Sequence, residues 1–252
     1  MTQMSLRDHL TELRNRLLRC LFSVLAAFVG VFFFAPLLRG RMEALLKAAL
    51  PPDGAITFAD ITEPFMVDLQ IALVAGLFLA APVVFYQIWA FIAPGLYASE
   101  RRHVVPAAFC SALSFIAGGL FCYFVVIPFT LAFFIGYGAG EAKPLITLAN
   151  IFRYSLRLLL AFGLVFEMPL FVFFLARLGI ATAARLRAWR RYAILGSFIV
   201  AALLSPPDVY TQLLLAGPLI LLYELSIFVA AAASPQERKK DVPPDARHAP
   251  PG

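Results

Sequence analysis

The sequence predicts an all-α membrane protein, a polytopic bundle of six transmembrane helices with both termini in the cytoplasm. Three observations support this fold class: six long apolar runs, an uneven distribution of basic residues, and a strongly apolar composition. Hydrophobic residues make up 62% of the chain and charged residues 14%, with a mean hydropathy of +0.84, far from the balance of a soluble domain. Helices are expected because backbone polar groups in hydrocarbon need internal partners, and barrel strands give only weak alternating segments.

The apolar runs define the expected spans, since a helix needs about 20 residues to cross ~30 Å of hydrocarbon. We place the spans at residues 20–38, 71–93, 104–134, 158–176, 192–204 and 209–233. The last two spans are expected to be short. The fifth covers only about 20 Å at the helical rise, so the bilayer must thin there or partner helices must cover its ends.

Lysine and arginine indicate the orientation of the bundle. Fifteen of the 21 lie in the N-terminal segment, the second and fourth loops and the C-terminal tail, and six lie in the intervening segments. The positive-inside rule therefore places both termini in the cytoplasm. The excess of basic over acidic residues is explained by this topology and gives little support to nucleic-acid binding.

Six spans leave no room for a separate soluble domain, so residues 1–233 are predicted to form one transmembrane domain. Residues 234–252 hold five prolines and mixed charges without an apolar pattern, which predicts a disordered cytoplasmic tail. The basic residues before the first run resemble a signal peptide. The run is long, however, and no small-residue cleavage site follows it, so we expect a retained helix.

An amphipathic helix is predicted at about residues 5–19, before the first span. Leu6, Leu10, Leu13 and Leu17 form one apolar stripe, which would lie on the membrane surface. Glu12 projects away from this stripe and is available to a partner. An intrahelical ion pair with Arg16, four residues later, explains Glu12 equally well.

Catalytic and metal-binding patterns are absent from the sequence. The three histidines lie outside the apolar runs, and no metalloprotease, nucleophile-elbow or phosphate-loop motif occurs. Cys20, Cys110 and Cys122 lie in or beside apolar runs, as small packing residues do. We expect no enzyme activity, no cofactor and no metal.

Glu167 is the most informative carboxylate, because nine residues of the fourth run lie on each side of it. An acidic residue at that depth costs about 2.5 to 3.5 kcal/mol on insertion scales, so it should face protein or water. Pro169 should kink the helix nearby. A protonated Glu167 that only packs against a neighbouring helix is the alternative, and Glu224 is expected to reach the membrane interface.

A second carboxylate, Glu100, lies in the loop that follows the second run. Ser99 can cap the next helix, and the dipole of that helix favours a negative charge such as Glu100 in its first turn. These are sufficient structural reasons for both residues. Together with Glu12, however, it places negative charge in an arginine-rich cytoplasmic face. Such a pair would select a cationic partner by position.

Several short motifs resemble the TatC family, the receptor subunit of the twin-arginine protein translocase, over about residues 5–228. The matching strings are LTELR at 10–14, QIWAFIAPGLY at 87–97, ERR at 100–102, FEMP at 166–169, SPPD at 205–208 and LYE at 222–224. The resemblance implies a helical bundle with a concave face in the bacterial cytoplasmic (inner) membrane. It also implies binding of the twin-arginine signal peptides of folded precursors, whose export uses the proton gradient.

The resemblance assigns partners and residue roles. The implied partners are the single-span proteins TatA and TatB, further copies of the chain in a multimeric complex, and membrane lipid. The implied residues are Glu12, Glu100, Arg14 and Phe91 for signal-peptide binding, Glu167 as the intramembrane polar group, Ser205 and Gln212 for partner docking, and Asp208 in an outer loop.

Two other functions remain open from the residues alone. A proton-coupled small-molecule transporter would use Glu167 as an intramembrane relay, although no internal repeat of the kind common in transporters is apparent. An intramembrane enzyme would need a nucleophile and a base, and the sequence offers no such pair.

Overall fold

The computed structural model describes residues 6–49, 56–57, 59–92, 104–138, 146–205 and 209–233. These residues form helices and one pair of two-residue strands. In chain order the elements are α1 Leu6–Phe32, α2 Ala35–Ala49, β1 Ile56–Thr57, α3 Glu63–Ile92, α4 Val104–Phe121, a π-helical turn Cys122–Val126, α5 Ile127–Gly138, β2 Ile146–Thr147, α6 Leu148–Phe166, α7 Met168–Arg177, α8 Ala183–Ala188, α9 Arg190–Leu204 and α10 Val209–Ala233.

Helical segments long and apolar enough to cross a membrane confirm the all-α membrane fold. The described residues contain five of them: His9–Phe32, Glu63–Ile92, Val104–Phe134, Leu148–Arg177 and Val209–Ala233. At 15 residues, α9 is shorter than these, so the count of six spans and the cytoplasmic termini stay predictions. The expectation that the last span is short is wrong, because α10 has 25 residues.

The first span differs from its predicted bounds. Residues 6–32 form one uninterrupted helix, so the predicted amphipathic segment is the beginning of α1. This helix ends at Phe32, a turn occupies residues 33–34, and residues 35–38 of the predicted span belong to α2. Pro36 accounts for the break, because its ring clashes with the carbonyl four residues earlier while its fixed φ suits the first turn of a new helix.

Two other spans begin earlier than their apolar runs. Helix α3 starts at Glu63 and includes Asp68, while α6 starts at Leu148 and includes Arg153 and Arg157. Hydropathy alone does not detect these first turns, because polar residues can occupy a helix end that lies outside the hydrocarbon.

The chain divides into two compact units, residues 1–164 and 165–252. The single-domain assignment therefore stays a prediction.

The first unit is built on the close packing of α1 against α3. A Cβ atom added at Gly76 of α3 would lie 2.9 Å from the backbone nitrogen of Phe28 in α1. Helix α4 packs on α3 through a buried cluster of Ala81, Ala112 and Phe115. Small residues that let backbones approach closely are the usual means of helix association in membranes.

A carboxylate joins the loops at the far end of the first unit. Strands β1 and β2 pair in parallel there, with Thr57 opposite Thr147. The buried side chain of Glu63 accepts hydrogen bonds from the backbone N–H groups of Ala59 and Ala149. Because Ala149 lies in the first turn of α6, Glu63 caps that helix and ties it to the start of α3.

The second unit contains α7, α8, α9 and α10. Its buried cluster joins α7, the start of α8 and α10, and consists of Val172, Ala176, Ala183, Ile227 and Ala230. The hydroxyl of Tyr223 donates a 2.7 Å hydrogen bond to the backbone oxygen of Leu186. This bond fixes the short α8 against α10.

Candidate functional site

Cross-helix contacts at the start of α1 define the first part of the candidate site. The His9 ring stacks on the Phe91 ring near the end of α3, with centroids 4.7 Å apart. Arg16 Nη1 donates a 3.3 Å hydrogen bond to Oε1 of Gln87. Glu12 lies between His9 and Arg16 along the same face of α1, so the structure brings it beside the end of α3 that carries Phe91.

Glu12 forms an ion pair within its own helix. One of its carboxyl oxygens accepts hydrogen bonds from Nε of Arg16 at 2.9 Å and from Nη2 at 2.6 Å. The side chains of Glu12 and Arg16 are 23% and 20% exposed. The intrahelical pair considered as an alternative is therefore present, and the carboxylate still has exposed surface.

The leucine stripe of α1 lies on the opposite side. Leu10, Leu13 and Leu17 are 61%, 42% and 66% exposed. This orientation suits a helix whose apolar side faces lipid while its polar side packs against α3. Arg14 is exposed as well and lies away from the Glu12 face.

Helix α3 orients two aromatic residues of the QIWAF string differently. Phe91 is partly buried and contacts His9, whereas Trp89 is buried and donates a 2.9 Å hydrogen bond from Nε1 to Ser111 Oγ of α4. Trp89 therefore fixes α3 to α4, and Phe91 remains at the site. Glu100, assigned to the same site from the sequence, lies outside the described residues.

Glu167 lies at the junction between α6 and α7. It adopts a helical backbone conformation, with φ of −71° and ψ of −17°, and Pro169 follows at the start of α7. The helix is interrupted there, as Pro169 predicts, because proline cannot donate the next backbone hydrogen bond. The Glu167 side chain is partly buried, and its carbonyl accepts a 2.9 Å bond from the backbone of Phe171.

Ser205 follows the end of α9, and Gln212 lies in the first turn of α10. Ser205 ends α9 in an extended conformation, and its backbone N–H bonds to the oxygen of Ala201 at 2.8 Å. Gln212 Nε2 donates a 3.0 Å hydrogen bond to the backbone oxygen of Phe198, joining α10 to α9. Asp208 lies outside the described residues.

The last assigned carboxylate, Glu224, forms an ion pair with Arg190. Its Oε2 lies 2.6 Å from Nη2 of Arg190 at the start of α9, and the two side chains are 32% and 48% exposed. The expectation that Glu224 reaches the membrane interface stays a prediction. An exposed pair of this kind contributes at most about 1 kcal/mol.

Several polar contacts escape sequence reasoning. His9 and Gln87 are unremarkable as single residues, and their roles depend on how α1 meets α3. The sequence does indicate a role for Glu63, because Asp60 and Glu63 have the spacing of a capping box at the start of a helix. In the structure, Asp60 Oδ1 accepts a 3.1 Å hydrogen bond from the N–H of Thr62.

Among the described residues, no group of three or more His, Cys, Asp or Glu residues could hold a metal ion.

Comparison with known proteins identifies the family. The profile described as "Sec-independent protein translocase protein (TatC)" matches residues 8–218. The TatC protein of Azotobacter chroococcum is 41% identical over 228 residues, covering 90% of this chain and 89% of the relative. That of Escherichia coli K12 is 38% identical over 220 residues, covering 87% and 85%.

The fold agrees with the sequence match. A crystal structure described as the twin arginine translocase receptor TatC superposes with a TM-score of 0.80 at 37% identity, covering 89% of this chain and 99% of that one. A second crystal structure of that receptor, in DDM, gives 0.79 at 37% identity. The family match covers most of the chain, and the described residues include several candidate spans. The chain therefore belongs to the TatC family of Sec-independent protein translocase proteins.

Proposed function

We propose that this protein is the signal-peptide receptor of a twin-arginine translocase in the bacterial inner membrane. In this role it binds the leader of folded precursors and exports them with TatA and TatB in a multimeric complex, using the proton gradient. The observation that carries the proposal is Glu12, a partly exposed carboxylate on an arginine-rich helix, held one turn from the His9–Phe91 contact.

The chemistry of Glu12 fits an arginine ligand. A guanidinium presents donors in a planar fork that matches a carboxylate, and lysine cannot reproduce this geometry. Arg16 already binds one carboxyl oxygen of Glu12 through two of its nitrogens, so the site accommodates this contact. Glu100 supplies the second carboxylate of the proposal, one for each arginine of the leader.

An exposed ion pair contributes only about 0.2 to 1 kcal/mol, so apolar contacts must add to the affinity. Phe91 is partly buried beside the charged group and is the proposed contact for the apolar part of the leader. Arg14 is exposed on the other side of α1. We assign it to the cytoplasmic surface that the bound precursor covers.

The remaining assigned residues belong to later steps of the proposed function. Glu167 is the polar group that the leader or a partner helix meets within the membrane. Ser205 follows the short helix α9 and Gln212 lies near the start of α10; together they form the docking position for the single-span partners, and Asp208 acts on the outer side. Both termini lie in the cytoplasm.

Peptide binding tests the receptor proposal directly. The full chain in lipid nanodiscs is titrated with a fluorescent twin-arginine leader and with its Lys-Lys variant. The Glu12→Gln and Glu100→Gln variants are measured beside Glu43→Gln. Glu43 is a matched control, because its side chain is also 23% exposed and forms an ion pair with the residue four positions later, Lys47.

The proposal predicts that the Lys-Lys leader binds more weakly than the Arg-Arg leader, and that this difference disappears when Glu12 or Glu100 is neutralised. Loss of one exposed contact should weaken binding by about 1.4- to 5-fold. The Glu43 variant should keep the discrimination. Equal binding of both leaders to the unmodified chain would overturn the proposal.

A further inference from the structure

One cation of α2 is without a carboxylate partner among the described residues. Arg39 lies 2.9 Å from Oδ1 of Asp68, and Lys47 lies 3.6 Å from Oε2 of Glu43. Arg41, on the same helix, is exposed, and no described acidic group lies within ion-pair distance of it. The positive charge of Arg41 is therefore available to bind an anionic ligand.

Arg41 borders an apolar cleft within the first unit. The cleft has a volume of about 330 Å³ and is walled by α2, α3, the α4–α5 segment and α6. Almost its entire lining is apolar, and the polar side chains that border it are those of Arg41 and Tyr123. A cavity of this kind is suited to a hydrocarbon chain with a negative group at one end.

A second cleft adjoins the first. It has a volume of about 610 Å³ and shares Leu38, Ala75, Phe78 and Ile116 with its neighbour. From there it continues along α1 past Gly30, where an added Cβ would meet nothing within 4 Å. The two apolar clefts thus share part of their lining, and the shared Leu38 lies about one helical turn before Arg41 on α2.

We propose that this pair of clefts binds one anionic diacyl phospholipid. Each acyl chain occupies one cleft, and the Arg41 guanidinium binds the phosphate. The match rests on two adjoining apolar clefts, on the residues that they share, and on a cation at the edge of the first cleft that has no acidic partner among the described residues. Guanidinium groups bind phosphate oxygens through two parallel hydrogen bonds, which suits Arg41 to this role.

The position of α2 agrees with a lipid headgroup. Helix α2 begins three residues after the membrane-spanning α1 ends, so Arg41 lies on the side opposite the start of α1. Basic side chains at a membrane surface each add about 1 kcal/mol of attraction for anionic lipid. With the cytoplasmic termini of the proposed function, the bound lipid belongs to the outer leaflet of the inner membrane.

Native mass spectrometry of the purified full chain tests the proposal. The protein is delipidated and then titrated with phosphatidylglycerol or phosphatidylcholine carrying the same acyl chains. Arg41→Gln is compared with Lys47→Gln, the latter removing a cation of the same helix that is already paired. We expect Arg41→Gln to weaken phosphatidylglycerol binding by about five-fold, and Lys47→Gln to have no effect.

A second variant tests the cleft independently of charge. Gly30→Leu places a side chain in open space beside the second cleft, so folding should be preserved. It should weaken the binding of both lipids, and the acyl-free headgroup glycerophosphoglycerol should not compete.

Equal affinity of the Arg41 and Lys47 variants for phosphatidylglycerol would overturn the lipid assignment. So would displacement of the lipid by the acyl-free headgroup. A photocrosslinker at residue 75 that captured a partner helix or leader peptide in place of lipid would overturn it as well. None of these outcomes depends on twin-arginine binding, so the two proposals fail separately.

Discussion

Glu12 and Arg16 form an ion pair at the position proposed to receive an arginine of the ligand. Both contacts reach the same carboxyl oxygen, from Nε at 2.9 Å and from Nη2 at 2.6 Å. A leader arginine must therefore displace Arg16 or share the carboxylate with it. In the proposed function, Arg16 thus competes with the leader for this oxygen, and its positive charge also repels the cationic leader.

Replacing Arg16 with glutamine should therefore strengthen leader binding. An exposed intrahelical pair is worth about 0.2 to 1 kcal/mol, so the dissociation constant should fall by about 1.4- to 5-fold. The measurement is a titration of the nanodisc-embedded variant with the fluorescent twin-arginine leader.

The control for this experiment is Arg19→Gln, which removes the same charge from an exposed position on the same helix. A general charge effect would improve binding equally in both variants. Weaker binding by the Arg16 variant would contradict competition and would instead indicate that Arg16 holds Glu12 in its binding conformation.

The sequence predicts the helical membrane fold well because hydrocarbon imposes a strong constraint on composition. Apolar runs of sufficient length locate the spans, but they do not locate the helix ends. Glu63 and Leu148 begin helices well before their apolar runs, since polar first turns extend beyond the apolar region. Pro36 disfavours a continuous helix, and it explains why the first helix ends before residue 38.

The candidate site was only partly accessible to sequence reasoning. Periodicity places Glu12 away from the leucine stripe, and the structure agrees, because Leu10 and Leu17 are exposed on the other side. The cross-helix contacts His9–Phe91 and Arg16–Gln87 join residues more than 70 positions apart. No local pattern encodes them, because they depend on the register in which α1 packs against α3.

Glu63 should be important for the stability of the loops at the far end of the first unit. Its carboxylate accepts backbone hydrogen bonds from Ala59 and Ala149, and hydrogen bonds to an ionised acceptor are stronger than those between neutral groups. Glu63→Ala should therefore accelerate hydrogen exchange at the amides of Ala59 and Ala149, which lose their acceptor.

The matched variant for Glu63 is Glu43→Ala, whose carboxylate contacts only the side chains of Arg39 and Lys47 in described ion pairs. It should leave both amides protected. Unchanged exchange in the Glu63 variant would mean that strand pairing between β1 and β2 alone holds the loops.

Gly76 should tolerate no side chain, because of the close approach of α1. A Cβ at this position would lie 2.9 Å from the nitrogen and 3.0 Å from the Cα of Phe28, and a backbone cannot move aside as a flexible side chain can. We expect Gly76→Ala to destabilise the unit by about 1 to 3 kcal/mol, as overpacking typically does.

A thiol-reactive dye can measure the loss of stability in the Gly76 variant. Cys122 is fully buried in the same unit and becomes reactive when the unit unfolds. The exposed Cys110 and the partly exposed Cys20 are replaced with serine beforehand, so that only Cys122 can react. Gly30→Ala, in α1, is the control and should unfold at no lower a temperature than the parent, because its Cβ meets nothing within 4 Å and alanine favours a helix more than glycine does. Equal unfolding temperatures for the two variants would contradict the packing described for α1 and α3.

Gln212 allows a structural role to be separated from the proposed docking role. Its side chain joins α10 to α9 through the backbone oxygen of Phe198, and such bonds between membrane helices average only about 0.6 kcal/mol. Gln212→Leu should therefore leave thermal stability nearly unchanged while it reduces crosslinking of a single-span partner to α9. Ser197→Ala is the control, because the buried Ser197 hydroxyl bonds within its own helix to Ala193. If both variants crosslink the partner as efficiently as the parent, Gln212 is a structural residue, and the docking position must be sought on another face of the second unit.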